Sequence, residues 1–164
     1  NGNGNDQIEF STTAATDESY MVWRHLSLAE TLDGTFSGAR DSSSGPVISS
    51  NIPESTFKGA GFTLLYGAEY TMSGSKNTTF NSLNIGKPVS STTISNGDFI
   101  SPRDAKTLDI KIDDGNANTG KFFGLSLTAS ICQNSTVIVG TADSGKDYVA
   151  TTNTPACFLA YKLE

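Results

Sequence analysis

The clearest hydrophobic pattern of the chain lies between residues 16 and 34. Apolar positions recur there at spacings of three, four and seven residues, as on one face of a helix. The predicted stripe comprises Met21, Val22, His25, Leu26, Ala29 and Leu32, and Trp23 flanks it. Thr16 or Asp17 can cap the N-terminus, and Gly34 suits the left-handed position that ends a helix. The pattern predicts an amphipathic helix over residues 17–32.

Short apolar runs bounded by Gly, Asn and Ser follow, after a loop that Gly45-Pro46 and Pro53 interrupt. The runs over 59–67, 68–74 and 77–86 predict strands of an antiparallel hairpin or meander. Further strands are predicted over 120–133, 135–142 and 156–164.

The segment 101–115 fits two structures. Leu108, Ile110 and Ile112 alternate with polar residues, as they would in a strand. The pair Ser101-Pro102 instead resembles a helix cap followed by a first-turn proline, and Ala105, Leu108 and Ile112 also share a helical face. We favour the helix and keep the strand as the alternative.

Helices and strands are segregated in this order of elements, which is typical of an α+β fold. We expect the N-terminal amphipathic helix to pack on an antiparallel β-sheet. The 164 residues suit one domain, with the helix at 17–32 and with the sheet, a short helix and the C-terminal region in 57–164.

The composition is rich in uncharged polar residues, with 36% hydrophobic and 17% charged residues. Such a composition is common in secreted, strand-rich proteins. A net charge of −6 and a pI near 4.7 disfavour nucleic acid as a partner, because an acidic surface repels phosphate. The chain has no run of 18 apolar residues that would predict a membrane span.

The two cysteines, Cys132 and Cys157, permit a single pairing that would enclose 24 residues. The secretion-like composition and the place of Cys157 near the C-terminus favour a disulfide. The alternative is a pair of buried free thiols.

The sequence contains no pattern that predicts an enzyme. His25 lies on the apolar stripe without an indicated nucleophile or carboxylate partner, so we expect a packed or capped histidine. Nucleophile-elbow, phosphate-loop and dinucleotide patterns are missing, and we expect no catalytic residue and no organic cofactor. The carboxylates of Asp109, Asp113 and Asp114 are close in sequence, and we interpret them as a solvated helix end and turn.

Two Asn- and Asp-rich turns offer the oxygen ligands that calcium prefers. The first candidate set is Asn1, Asn3, Asn5 and Glu9; the second is Asp113, Asp114 and Asn116, with Asn118 beside them. The first loop departs from the EF-hand pattern, because Asp6 stands where Gly makes the turn and Thr12 occupies the twelfth position. We expect at most weak calcium binding, with a plain turn as the alternative at both places.

Several stretches together resemble the head domain of bacterial type IV pilin-like proteins, the family with a prepilin-type cleavage and methylation segment. They are GNGNDQIE, ESYMVWRHLSLAE, SPRDAKTLDIKIDDGNANTGKFFG, Cys132 and the terminal ACFLAYKLE. The resemblance covers about half of the chain, at both ends and around 101–124, and leaves 35–100 without a counterpart.

The resemblance implies a pilin-like α/β roll and a structural subunit of a type IV pilus, as a major or minor pilin. Such a subunit carries a short leader that a prepilin peptidase removes, and an apolar N-terminal helix. That helix anchors the subunit in the inner membrane before assembly and then packs in the core of the extracellular filament. The partners implied are other pilin subunits and the inner-membrane assembly machinery, and the functions of such filaments include adhesion and motility.

A disulfide closes the C-terminal region of many type IV pilins, and Cys132 and Cys157 match it by position. Pseudopilins of type II secretion more often lack this bridge and bind calcium near the C-terminus. A pseudopilin is therefore the first alternative to a pilin. A free-standing extracellular adhesin or carbohydrate-binding module is the second.

Overall fold

The computed structural model of the chain describes residues 2–10, 17–41, 45–66, 80–89, 94–126, 131–134 and 147–163. Within these ranges it contains α1 (Glu18–Leu28), β1 (Gly61–Tyr66), β2 (Asn81–Gly86), α2 (Pro102–Ile112), β3 (Phe122–Leu125) and β4 (Phe158–Lys162). All the strand pairs are antiparallel, which confirms the α+β class with an antiparallel sheet. The predicted strands over 68–74 and 135–142 lie outside the described residues.

Helix α1 begins as predicted and ends four residues earlier than predicted. The Asp17 carboxylate accepts a hydrogen bond from the Ser19 N–H at 3.2 Å and caps the N-terminus. The C-terminus closes at Ala29, where the N–H of Glu30 reaches the Ser27 carbonyl and the N–H of Thr31 reaches the Leu26 carbonyl. This pair of bonds is a Schellman motif. The left-handed residue is Glu30 (φ 55°), so Gly34 is not the cap.

The predicted apolar stripe of α1 is correct in part: Val22, Leu26 and Leu32 pack against the core, but they are only partly buried. The buried residues of the helix are Ser19, Tyr20 and Trp23, whereas His25 and Ala29 are exposed. Tyr20 and Trp23 carry large aromatic side chains, and burying them removes much apolar surface from water.

Helix α2 resolves the ambiguity of 101–115 in favour of the helix. Ser101 Oγ accepts the Asp104 N–H at 3.2 Å and donates to Asp104 Oδ2 at 2.7 Å, while Pro102 occupies the first turn. Ala105 is buried as predicted, but Ile112 is 54% exposed and does not join the packed face. The residue buried at the end of the helix is instead the carboxylate of Asp109.

The strand order of the sheet is β1-β2-β4-β3, so the strand nearest the C-terminus lies inside the sheet. The register pairs Leu64 with Leu83 and Leu83 with Tyr161, which puts these residues on one face. Both helices cover this face, with α1 against the edge strand β1 and α2 against the edge strand β3.

Each face of the sheet carries part of the core. On the first face, Tyr20 and Trp23 of α1 pack near β1, and Ala105 of α2 packs near β3. The second face holds the cluster of Leu65, Ile94, Phe123, Leu125, Phe158 and Ala160. The helices are therefore fixed at opposite edges of a sheet that is buried on both sides.

Candidate functional site

The N-terminal arm, residues 2–10, is built from successive turns made by asparagine side chains. Asn3 Oδ1 accepts the Asn5 N–H at 3.1 Å, and Asn5 Oδ1 accepts the Gln7 N–H at 3.0 Å. Asn3 Nδ2 donates to Glu9 Oε2 at 2.8 Å. The oxygens predicted as calcium ligands thus serve the turns of the arm. Asn1 and Thr12 lie outside the described residues.

The carboxylate of Glu18, in the first turn of α1, ties this arm to the helix. Its Oε1 accepts the Asn3 N–H at 3.1 Å, and its Oε2 accepts the Glu9 N–H at 3.0 Å. The sequence showed Glu18 only as a favourable charge at a helix N-terminus. The structure gives it a second role, as the group that holds both ends of the turn.

The end of the arm is anchored to the sheet. The Ile8 N–H donates to Asn81 Oδ1 at 2.9 Å, and the Ile8 carbonyl accepts the Tyr66 N–H at 2.7 Å. Asn81 Nδ2 also donates to the Asp6 carbonyl at 2.8 Å. These bonds fix the arm beside α1 and beside the end of the β1–β2 pair, where Tyr66 lies opposite Asn81.

An open groove of about 360 Å³ lies between the arm and α1. Its apolar lining includes Ile8, Met21 and Val22, and its acidic lining includes Asp6 and Glu18. The groove, called the arm groove below, therefore combines three apolar side chains with two carboxylates, and polar residues and glycines of the arm complete its lining.

His25 also lines the arm groove, on the exposed side of α1. The expectation of a packed core histidine is therefore wrong. The reason is the rotation of α1 about its axis, which buries Trp23 and turns His25 outward.

The carboxylates of Asp109, Asp113 and Asp114 do converge, as their spacing suggested. One oxygen of each lies within 4.8 Å of the other two. Asp114 Oδ1 accepts the Asn116 N–H at 2.8 Å, and Asp113 Oδ2 accepts the Phe122 N–H at 2.9 Å. The predicted ligands Asp113, Asp114 and Asn116 thus form one loop next to α2, and calcium binding there stays a prediction.

Asp109 differs from its neighbours because it is fully buried. Its carboxylate accepts the Tyr148 hydroxyl at 2.8 Å and the Gly115 N–H at 3.0 Å. Burial raises the pKa of Asp109 to about 6, and the nearby charges of Asp114 and Asp113 act in the same direction. Burial, and then the charge of Asp109, raises the pKa of Tyr148 well above its usual range. The interpretation as a solvated helix end is correct for the exposed Asp114 but wrong for Asp109.

The disulfide between Cys132 and Cys157 is present, with the Cα atoms 5.0 Å apart. Cys157 directly precedes β4, and the Val149 N–H donates to the Cys132 carbonyl at 2.9 Å. An ion pair between Lys106 and Asp147, at 2.5 Å, connects α2 to the same region. The bridge therefore links a buried residue outside the sheet to the residue that leads into an interior strand.

Comparisons with protein families, with curated proteins and with solved structures found no match to this chain. Neither of the two described helices is long and apolar enough to cross a membrane.

Proposed function

We propose that this chain is the head domain of a filament subunit of the type IV pilin class. The carrying observation is the architecture: a helix precedes an antiparallel sheet, and a disulfide joins Cys157, just before the C-terminal strand β4, to Cys132 outside the sheet. The sequence resemblance in α1, in α2 with the loop after it, and at the C-terminus supports the same assignment.

The physical demands on a filament subunit agree with this architecture. A head in a filament must keep its shape while neighbouring copies load its surface, and a sheet buried on both faces provides that rigidity. A disulfide adds stability in the oxidising space outside the cytoplasm. Subunits that join by a heterologous, non-closing contact generate a helical filament.

The first test of this function is to read the gene upstream of the codon for Asn1. The proposal requires a short basic leader, a cleavage site and about 20 apolar residues ahead of the head domain. A conventional leader peptide with a small-residue cleavage site would contradict it and favour the free-standing binding module.

The second test is direct localisation. Filaments sheared from the native cells should react with antibodies raised against the folded head, and immunogold should label the filament itself. A strain without its prepilin peptidase is the matched control, because it should retain the unprocessed subunit in the membrane. Abundant protein in the medium without filament labelling would contradict the proposal.

A pseudopilin of type II secretion is the second candidate, and the loop of Asp109, Asp113 and Asp114 is the observation that favours it. The resemblance associates calcium with pseudopilins, at a site near the C-terminus, and this loop offers three carboxylates although it lies in the middle of the chain. A melting temperature that rises with millimolar calcium in the wild type, and not in Asp114→Asn, would favour this candidate. Deletion of the gene should then abolish the secretion of exoproteins and leave surface pili intact.

A further inference from the structure

We propose that the arm groove of one copy receives the outer face of α2 from a second copy. The inference rests on the proposed function only in its choice of a second copy as the occupant. The surfaces themselves are identified by exposure, shape and charge.

The first observation is an exposed isoleucine on a basic helix face. Residues at spacings of three, four and seven along α2 form its outer stripe, called the α2 stripe: Arg103, Lys106, Thr107, Ile110 and Lys111. Ile110 is 61% exposed, and the large hydrophobic side chains exposed to this degree are few among the described residues. An isoleucine kept in water between basic side chains is suited to a contact with a partner.

The charges on the outer face of α2 are mostly basic. Asp109 is buried against Tyr148, whereas Asp104 is exposed and bonded to the Ser101 hydroxyl. Lys106 is paired with Asp147. Arg103 and Lys111 are exposed on the α2 stripe. Arg103 and Lys111 therefore supply the positive charge of the stripe, on a protein whose net charge is −6.

The second observation is the complementary character of the arm groove. Ile8, Met21 and Val22 offer an apolar lining for one branched side chain, and Asp6 and Glu18 offer negative charge to flanking basic residues. Glu18 is held by two backbone N–H donors, so its carboxylate is fixed before any partner arrives. An apolar anchor within oppositely charged rims is the usual anatomy of a specific contact.

The third observation is the placement of the two surfaces. The arm groove is built on α1, beside the edge strand β1, and the α2 stripe lies on the helix beside the other edge strand, β3. A contact between different surfaces at opposite edges is heterologous, so each copy can use its groove and its stripe at the same time. Such a contact propagates into a row of heads.

The test is zero-length crosslinking of the folded head. A mixture of ¹⁴N- and ¹⁵N-labelled protein at about 1 mM, a range suited to small transient contacts, is treated with a carbodiimide that joins carboxyls to amines. Mass spectrometry should find peptides from two copies that join Lys111 to Asp6 or Glu18. Crosslinks confined to one copy, or intermolecular crosslinks spread over lysines outside the α2 stripe, would overturn the proposal.

Variants give an independent measurement by sedimentation equilibrium. Ile110→Ser should lower the association constant about tenfold, as expected for a central anchor. Lys111→Glu should lower it about threefold, and adding Asp6→Lys to that variant should restore it. Lys87→Glu changes the net charge equally at an exposed site beyond β2, and should stay within about twofold of the wild type. Asp6→Asn replaces Asp6→Lys if the lysine disturbs the turn, and it should weaken the wild-type contact about twofold.

An association constant that is unchanged in Ile110→Ser would overturn the proposal. So would an association constant that falls as much in Lys87→Glu as in Lys111→Glu. This failure is distinct from failure of the proposed function, because immunogold labelling of filaments does not depend on which head surfaces meet.

Discussion

Glu30 occupies a backbone position that favours glycine. Its φ of 55° lies in the left-handed region, and its negative charge lies at the C-terminal end of α1, where the helix dipole is also negative. We predict that Glu30→Gly stabilises the protein by about 1 kcal/mol, which corresponds to about 2–4 °C in melting temperature for a chain of this size. Thermal unfolding followed by circular dichroism measures the change.

Glu30→Ala is the matched control, because it removes the charge but keeps the Cβ atom in the left-handed conformation. It should recover only the electrostatic part, about 0.3 kcal/mol, the low end expected for an exposed charge. An alanine variant as stable as the glycine variant would show that the backbone conformation at Glu30 costs nothing.

The buried carboxyl of Asp109 predicts a pH dependence of stability. Its pKa rises from 3.8 to about 6 on folding, so the folded state favours the protonated form. The contribution of the protonated Asp109 carboxyl to the stability of the fold is fully present below the unfolded pKa of 3.8, and it is lost as the pH rises through about 6. We expect the free energy of unfolding to fall by about 1–2 kcal/mol between pH 4 and pH 7, after allowance for solvent screening.

Urea unfolding at a series of pH values measures this slope. Asp109→Asn should flatten it, whereas Asp33→Asn, at an exposed carboxyl after α1, should leave it unchanged. Equal slopes in the wild type and in Asp109→Asn would assign the pH dependence to other groups.

The candidate site could be predicted from sequence only where it is local. The spacing of Asp109, Asp113 and Asp114 along one helix and turn brings the three carboxylates together whatever the rest of the chain does. The burial of Asp109 requires Tyr148, which is 39 residues away, and no local pattern encodes that contact. The arm groove was missed for the same reason, since Asn81 anchors the arm across 73 residues.

At the scale of elements, the capping of α2 is the most direct example of a sequence signal that fixes a structure. Ser101, Pro102 and Asp104 complete the N-terminus of the helix, although Leu108, Ile110 and Ile112 alternate as in a strand. We predict that Ser101→Ala costs about 1 kcal/mol of stability, because the Asp104 N–H loses its partner. Denaturant titration measures the loss.

Thr107→Ala is the control for this substitution, since Thr107 is exposed in the same helix and its hydroxyl bonds back to Arg103. Alanine is the better helix former, so this variant should be neutral or slightly stabilised. A loss in Thr107→Ala equal to that in Ser101→Ala would contradict a specific role for the cap.

Element types were easier to predict than element ends and faces. The caps at Asp17 and Ser101 mark the starts of both helices, because capping depends on residues adjacent in sequence. The end of α1 was predicted at a glycine, but the chain closes the helix at Glu30. The buried face of α1 depends on the residues against which the helix packs. Tyr20 and Trp23 are buried because they pack in one cluster with Phe36, Ile52 and Leu64.

At the scale of the whole molecule, the position of β4 between β2 and β3 has no signature in the sequence. Its alternation of Leu159 and Tyr161 predicts a half-buried strand but not its neighbours. The order of the strands in the sheet is decided by long-range pairing and by the connection that runs from β2 through α2 to β3. The bridge to Cys157 acts at this same level, because it fixes Cys132, which lies outside the sheet, to the start of an interior strand.

This placement predicts a large effect of removing the disulfide. Restricting a 24-residue loop in the unfolded chain stabilises by about 3 kcal/mol, which corresponds to a fall of about 6–12 °C in melting temperature when the bridge is lost. Calorimetry of Cys132→Ser/Cys157→Ser, and of the wild type under strong reductant, should give the same result. Hydrogen exchange should rise most at residues 131–134 and 147–149 and least in β1 and β2, which do not depend on the bridge for their pairing. A melting temperature unchanged with both thiols shown free would mean that the sheet and the contacts of α2 hold this region without the covalent link.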